Sequence, residues 1–164
     1  MHKEIPIFFT IDDGYAPFLA VALHSAIQNA DPSRQYKAIV LHQNLSEPNI
    51  TKLQALQTEN FQIELTPMKA NFQALDDRMS NRLRCDYFTL TIYFRLFIAE
   101  MFPEYDKAIY IDGDTVVKAD IASLYDTNIG DNYVGACHEQ AMVQVDVYGT
   151  YAERVVGVSR HNFF

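Results

Sequence analysis

The chain has 164 residues, enough for one domain with a hydrophobic core, and 49% of its residues are hydrophobic, which excludes an intrinsically disordered protein. Its formal net charge is −8, and an acidic protein is a poor general binder of nucleic acid or of an anionic membrane. A ligand that bears phosphate therefore has to be held by a local device, such as a metal ion or a few well-placed cations.

The sequence shows neither a membrane anchor nor a disulfide framework. No segment approaches the roughly 18 consecutive apolar residues of a membrane span, and the apolar run near the N-terminus is too short for a signal peptide. The two cysteines, Cys85 and Cys137, form no CxxC pair and are interpreted as free thiols. A single disulfide between them is the alternative interpretation. We expect a cytoplasmic protein, either free or at the inner face of the membrane.

Strand patterns and helix patterns alternate along the chain. The continuous apolar run IPIFFTI at 5–11 predicts a strand buried on both faces, and residues 15–30 carry apolar side chains at helical spacing. The elements predicted after them are a strand at 36–42, a helix capped by Ser46, a strand at 61–65, an apolar helix at 89–102, and strands at 107–111 and 132–137. This alternation predicts an α/β fold with a mostly parallel sheet flanked by helices.

Two of the predicted strands end in pairs of acids. Asp12 and Asp13 follow the first strand, and Asp112 and Asp114 follow the strand KAIYI at 107–111. Parallel sheets bind ligands outside the carboxyl ends of their strands, so we expect both pairs at the ligand-binding edge.

The second acid pair indicates a metal site. In an extended segment Asp112 and Asp114 would point the same way, and Gly113 would allow close approach from the other side. Carboxylates that close repel each other unless a cation lies between them, and oxygen ligands favour Mg²⁺ or Mn²⁺ bridged to substrate phosphates. The alternative is a turn in which both acids are solvated or cap a following segment.

The first acid pair has two interpretations. One acid is expected to cap the following helix, and the other could accept a hydrogen bond from the N–H of a base such as uracil, on which Tyr15 could stack. Arg95, on the apolar helix, is interpreted either as a salt bridge or snorkelling group, or as the residue that holds Asp12 or a diphosphate. His138 and Glu139 follow the last predicted strand and are placed on the same edge.

Three segments together resemble the retaining glycosyltransferases of family 8, the lipopolysaccharide galactosyltransferase and glycogenin group. They are FFTIDDGYAPFLAVALHSAI, FTLTIYFRL and KAIYIDGDTVVKADIASLYDTNIGDNYVGAC. The resemblance implies a GT-A-type nucleotide-diphospho-sugar fold, and it implies the use of UDP-sugars with Mn²⁺, or Mg²⁺.

The same resemblance implies roles for single residues. They are uracil binding and stacking for Asp12 and Tyr15, nucleotide contact for Thr10 and Arg95, metal binding for Asp112 and Asp114, approach to the ribose for Gly113, and the acceptor side of catalysis for Glu139, with Arg95 also on the catalytic side. The chain departs from the family pattern at Tyr87, where many members carry His, and at Gly14, where some carry Asn.

The implied function is retaining transfer of a hexose, galactose or glucose, from a UDP-sugar to a glycan, lipid-linked or protein acceptor, without a nucleic-acid partner. Residues 1–164 are expected to form a single nucleotide-sugar-binding domain. The family continues with an Asn-[Ala/Ser]-Gly-Val strand, acceptor residues and a late His ligand. We therefore expect a C-terminally incomplete enzyme that is inactive or weakly active and that self-associates through an exposed sheet edge.

Two other readings stay open. Residues 112–116 also fit the DxDx[T/V] pattern of haloacid-dehalogenase-type phosphatases, in which the first Asp is the nucleophile, the second the general acid, and Mg²⁺ assists. That class needs a lysine and an acid pair further downstream, and no Asp-Asp pair follows here. The chain could also be a UDP-binding module without catalysis.

Overall fold

The structure, a computed structural model, describes residues 4–68 and 94–162. Its centre is a parallel sheet of four strands: β1 Ile5–Asp12, β2 Tyr36–Gln43, β3 Phe61–Pro67 and β4 Ile109–Tyr110. The strands lie in the order β3-β2-β1-β4, and every adjacent pair is parallel. The predicted α/β fold with a parallel sheet is confirmed.

The helices follow the strands as the alternation predicted. They are α1 Ala16–Asn29, α2 Glu47–Gln54, α3 Ile98–Met101, α4 Ala122–Tyr125, α5 Gln140–Gln144 and α6 Asp146–Tyr151, with 3-10 turns at Asp13–Tyr15, Arg95–Phe97 and Arg160–Asn162 and a π turn at Ala152–Val156. No helix in the described parts of the chain is both long and apolar enough to cross a membrane.

The core lies on both faces of the sheet because successive side chains of β1 point to opposite faces. Ile7 and Phe9 pack on one face with Leu19 of α1. Phe8 packs on the other face with Phe94, and its ring meets that of Phe102 edge-on, with centroids 4.9 Å apart. A strand covered on both faces has to be apolar throughout, which accounts for the unbroken run in the sequence.

The chain divides into two compact units, Met1–Asp126 and Thr127–Phe164. The first contains the sheet. In the second, the guanidinium of Arg160 pairs with Glu153 at 3.0 and 3.1 Å and lies against Gly149, where an added methyl carbon would come within 2.4 Å of Arg160 Cζ. The expectation of a single nucleotide-sugar-binding domain stays a prediction.

Three predicted elements differ in the structure. Residues 132–137 were expected to form a strand, but they are exposed and irregular, because no described strand lies beside them to share backbone hydrogen bonds. The strand predicted at 107–111 is shortened to β4. Of the long helix predicted at 89–102, Phe94 is helical, Arg95–Phe97 form a 3-10 turn and Ile98–Met101 form α3, and residues 89–93 lie outside the described part of the chain, as do Cys85 and Tyr87.

Candidate functional site

The two acid pairs lie at the same edge of the sheet. β1 and β4 are parallel neighbours, with Phe8 opposite Tyr110, and the backbone N–H of Ile111 donates to Phe8 O at 3.0 Å. The carboxyl ends of both strands therefore lie at the same edge of the sheet, where Asp12 is the last residue of β1 and Asp112 follows β4. This is the edge at which parallel sheets bind ligands.

The two acids of the first pair have different tasks. Asp12 caps the 3-10 turn that leads into α1, and its Oδ1 accepts the backbone N–H of Tyr15 at 3.1 Å. Asp13 Oδ1 instead accepts the backbone N–H of Ser46 and the side-chain amide of Asn49, each at 2.8 Å. These hydrogen bonds, led by the one from Ser46, lower the pKa of Asp13.

The predicted cap at Ser46 is only partly confirmed. Ser46 does occupy the N-cap position of α2, but its side chain makes no capping hydrogen bond. Its backbone N–H points to Asp13 instead. The carboxylate of Asp13 thus stabilises the start of α2 from the neighbouring turn, where negative charge is favoured by the helix dipole.

Tyr15 and Phe18 form an exposed aromatic pair at the start of α1. Their ring centroids are 5.6 Å apart at an interplanar angle of 49°, and the two residues are 39% and 55% exposed. A tyrosine ring in this position is accessible for stacking on a flat ligand such as a nucleobase.

A hydrogen-bonded chain links β1 to the second acid pair. The hydroxyl of Tyr110 donates to Asp112 Oδ1 at 3.0 Å and lies 2.9 Å from Thr10 Oγ1. Because the Tyr110 proton is directed to Asp112, the hydroxyl of Thr10 is the donor in the second bond. Burial raises the pKa of Tyr110, so its hydroxyl keeps its proton and remains a donor.

Arg95 lies beside this chain. Its Nη1 is 4.0 Å from Asp112 Oδ1, and its Cζ lies 5.1 Å from the centre of the Tyr110 ring. The structure therefore pairs Arg95 with Asp112 and Tyr110, whereas one interpretation of the sequence had it hold Asp12. Arg95 begins the 3-10 turn that lies between the helical residue Phe94 and α3.

The segment after Asp112 turns at once instead of continuing extended. Gly113 and Asp114 lie in a turn, and Thr115 Oγ1 donates to Asp112 O at 2.9 Å. The extended geometry from which the sequence argument aligned Asp112 with Asp114 therefore does not apply. Gly113 is buried, and an added methyl carbon would lie 3.0 Å from Ile11 Cγ2, so a glycine is needed for packing against β1.

Residues 113–126, here called the return segment, are tied to elements of the first unit. Val117 donates its N–H to Ser25 Oγ at 2.9 Å and accepts from Asn29 Nδ2 at 3.1 Å, both on α1. Tyr36 donates its hydroxyl to Asp120 Oδ1 at 2.7 Å. These bonds fix the backbone that follows the second acid pair.

The donor chemistry of Asp112 and Asp114 fits a hard divalent cation. Among the described residues no group of three or more His, Cys, Asp or Glu side chains could hold a metal. Mg²⁺ commonly takes only one or two carboxylates, with waters and substrate phosphates completing its shell. Asp112 keeps one oxygen, and Asp114 two, that accept no hydrogen bond from a described residue.

Glu139 belongs to the second unit. It is exposed, and its Oε1 accepts the backbone N–H of Ala141 at 2.9 Å, so it caps α5. That bond gives Glu139 a local structural task, and its role on the acceptor side stays a prediction. His138 is exposed beside it.

Sequence reasoning missed Tyr110, Asn49 and the anchors of the return segment. Tyr110 had a usable signal, because it lies two residues before Asp112 at the end of an apolar strand, where side chains share a face. Asn49 had none, since its partner Asp13 is 36 positions away in the sequence.

Comparison with known proteins connects this geometry to one family. The model of "Glycosyl transferase family 8" matches residues 6–163. A Haemophilus influenzae protein described as a glycosyltransferase is 26% identical over 99% of this chain and 46% of its own length. General stress protein A of Bacillus subtilis is 27% identical over 78% of this chain and 44% of its own length.

Solved structures give the same result. The bifunctional glycosyltransferase WbbM, in its apo form, superposes with a TM-score of 0.79 at 28% identity, covering 100% of this chain and 30% of WbbM. The galactosyltransferase LgtC in complex with donor and acceptor sugar analogs superposes with a TM-score of 0.74 at 26% identity, covering 98% of this chain and 54% of LgtC. The chain thus spans about half or less of the length of these relatives. The predicted GT-A-type fold is confirmed, and with 158 consecutive positions matched by the family model, residues 6 to 163, the chain belongs to glycosyl transferase family 8.

Proposed function

We propose that the chain binds the nucleoside diphosphate part of a UDP-sugar. We propose further that it serves in retaining transfer of a hexose, galactose or glucose, to a glycan, lipid-linked or protein acceptor. The observation that carries the proposal is the pair of acidic turns at the carboxyl edge of β1 and β4, joined by the chain from Thr10 through Tyr110 to Asp112. The galactosyltransferase activity named for LgtC supports galactose as one donor sugar.

Asp12 and Tyr15 are proposed to recognise the base. Asp12 Oδ1 is engaged by Tyr15 N–H, while its other carboxylate oxygen accepts no hydrogen bond from a described residue. That oxygen is suited to the N3–H donor of uracil, and the exposed ring of Tyr15 is suited to the base face. Cytosine lacks that donor, so the pair would discriminate against CDP.

Asp112 and Asp114 are proposed to hold Mn²⁺ or Mg²⁺, with Gly113 between them close to the ribose. The ion would supply neutralisation of the negative charge that develops on the departing diphosphate. Tyr110 orients the Asp112 carboxylate by its hydrogen bond. Arg95, 4.0 Å from that carboxylate, adds positive charge next to the expected phosphates.

Glu139 is proposed to face the acceptor sugar, and the cytoplasmic location and self-association expected from the sequence stay predictions. Membership of family 8 argues against the haloacid-dehalogenase reading of residues 112–116. A UDP-binding module without turnover is the second candidate, because among the described residues no third His, Cys, Asp or Glu side chain joins Asp112 and Asp114 in a group that could hold a metal.

Titration calorimetry with UDP and with CDP, in Mn²⁺ and in EDTA, tests the proposal. We expect UDP to bind more tightly than CDP, and Mn²⁺ to strengthen UDP binding. A phosphatase would show neither preference. Release of UDP from UDP-galactose or UDP-glucose then separates a transferase from a binding module, which would bind UDP without releasing it from the sugar. Absence of UDP binding in Mn²⁺ would refute the proposal.

A further inference from the structure

We propose that Asp13 and Asn49 determine the selectivity for the base without touching it, by fixing the turn that carries Asp12 and Tyr15. They are positioning residues, and the inference rests on the proposed binding of UDP. Asp13 lies between the two residues proposed to recognise the base, within the 3-10 turn Asp13–Tyr15.

Asp13 is held on the neighbouring turn by three contacts, two to its side chain and one to its backbone oxygen. Ser46 N and Asn49 Nδ2 each lie 2.8 Å from Asp13 Oδ1, and Asn49 Nδ2 lies 3.3 Å from the backbone oxygen of Asp13. The side-chain amide of Asn49 therefore donates to both the carboxylate and the backbone oxygen of Asp13. Contact with the backbone fixes the turn itself and not only a side chain.

The contacts of Asp13 with Ser46 and Asn49, here called the clamp, join the 3-10 turn to a rigid part of the fold. β1 and β2 are paired along their full lengths, from Ile5 opposite Tyr36 to Asp12 opposite Gln43. Asn49 lies in the first turn of α2, whose Leu53 is buried in the core. The 3-10 turn is thereby tied to the two central strands of the sheet.

These contacts give the two adjacent aspartates, Asp12 and Asp13, different surroundings. Asp13 Oδ1 accepts hydrogen bonds from two donors of the protein, whereas Asp12 retains one carboxylate oxygen that accepts none from a described residue. A hydrogen bond that distinguishes uracil from cytosine requires placement to within about half an ångström. A loosened turn would make the position of the Asp12 acceptor less precise without unfolding the sheet.

A structural role alone predicts lower stability with the base preference unchanged. The readout is therefore the ratio of the CDP and UDP dissociation constants, measured by calorimetry with Mn²⁺, alongside the midpoint of thermal unfolding. Asn49→Ala removes the donor to Asp13, and Asn49→Asp sets a second carboxylate against it. Loss of a hydrogen bond to a charged group corresponds to roughly tenfold in an equilibrium constant.

Asn60→Ala is the matched control. Asn60 Nδ2 donates to the backbone oxygen of Asp31 at 3.3 Å, before β3 at the opposite edge of the sheet. We expect both Asn49 variants to lower the CDP-to-UDP ratio by about fivefold to tenfold, and Asn60→Ala to leave it unchanged. The double variant Asp13→Asn/Asn49→Asp, which restores a donor–acceptor pair, is expected to recover part of the ratio.

Two outcomes would overturn the inference. An unchanged ratio in both Asn49 variants, with a lowered unfolding midpoint, would assign the clamp to stability alone. A wild-type chain that binds UDP without preferring it to CDP would remove the selectivity that the clamp is meant to set, while a wild-type chain that does not bind UDP would refute the proposed function as well. If Asn49→Ala does not fold, Asn49→Ser, which keeps a shorter donor, carries the same test.

Discussion

The two acidic turns at the sheet edge differ in how the protein uses their carboxylates. In the first turn, the three hydrogen bonds to the carboxylates of Asp12 and Asp13 come from two backbone N–H groups and from the side-chain amide of Asn49 on α2. In the second, the contacts of Asp112 come from a tyrosine hydroxyl and a guanidinium, and Asp114 accepts none from a described residue. The first turn is built for fixed geometry, and the second leaves oxygens available.

This difference matches the two kinds of recognition proposed. Reading a base edge requires a rigid acceptor in one place. Holding a cation requires negative charge that the protein has not already neutralised, since a divalent ion must outcompete the existing partners. The predictions below test this contrast, from the largest expected effect to the smallest.

Asp114→Asn is expected to remove the dependence of UDP binding on Mn²⁺. The substitution keeps the shape of the side chain but deletes the charge that no described residue neutralises. We expect calorimetry to show at least about a tenfold loss of UDP affinity in Mn²⁺, about 1.4 kcal/mol, and little change in EDTA. Glu59→Gln, at the opposite edge of the sheet, is the charge-matched control. Unaltered Mn²⁺-dependent affinity in Asp114→Asn would contradict the metal assignment.

Tyr15→Ala is expected to weaken UDP binding in Mn²⁺ and in EDTA alike. Stacking of a base on an aromatic side chain contributes about 1–3 kcal/mol, and Tyr15 is not among the residues proposed to hold the cation. Tyr15→Phe keeps the ring and should bind UDP like the wild type. If Tyr15→Ala bound UDP normally, the ring would have no part in base recognition.

Tyr110→Phe is expected to weaken Mn²⁺-dependent UDP binding by a smaller factor. The substitution leaves the ring under Arg95 but removes the hydroxyl that donates to Asp112 and accepts from Thr10. A hydrogen bond to a charged group contributes about 1.5–3 kcal/mol, part of which solvent restores at the exposed Asp112. The effect should vanish in the Asp112→Asn background, and a full second effect there would show that Tyr110 acts elsewhere.

Gly113→Ala is expected to destabilise the first unit by about 1–3 kcal/mol through overpacking. The added methyl group would lie 3.0 Å from Ile11 Cγ2 and 3.8 Å from Leu19 Cβ, and both neighbours are fixed in the core. Urea unfolding measures the change. Gly14→Ala is the control, because its added methyl group would come within 4 Å of only one atom of the described residues, Asp12 Oδ1 at 3.4 Å. Equal stability of the two variants would show that the packing at Gly113 is not limiting.

Acidification from about pH 7 to about pH 5 is expected to lower the free energy of unfolding through His42. Burial lowers the pKa of His42 below its ordinary 6.5, so the unfolded chain takes up this proton first as the pH falls. Its Nδ1 also accepts the backbone N–H of Leu45 at 3.4 Å, which requires the neutral ring. His42→Asn, which keeps an acceptor, should flatten this slope in urea titrations, and an unchanged slope would assign it to other groups.

The sequence predicted those features that depend on local pattern. The unbroken apolar run of β1 identified a strand buried on both faces, and the acids after β1 and β4 were placed correctly at the carboxyl edge. Features that depend on distant partners could not be predicted. Which of Asp12 and Asp13 is the cap is decided by Asn49, and the position of Arg95 is decided by Tyr110 and Asp112.

Local pattern also misled in one place. Residues 132–137 contain the β-favouring side chains of Tyr133 and Val134, yet a strand forms only beside another strand, and no described strand lies next to them. The same limit shortened the strand at 107–111, which pairs with β1 through only two residues. Whether a segment forms a β-strand therefore depends on the neighbouring strand as much as on the sequence of the segment.

The ties of the return segment set an order of events in folding. The bonds from Ser25 and Asn29 to Val117, and from Tyr36 to Asp120, join residues 84 to 92 positions apart, so each closes a long loop at an entropic cost. β1, α1, β2, α2 and β3 are connected by short loops and can assemble first. We expect pulse-labelling hydrogen exchange to protect the amides of β1 and β2 before that of Val117. The acids for the cation would then reach their place only after the base-recognition turn has formed.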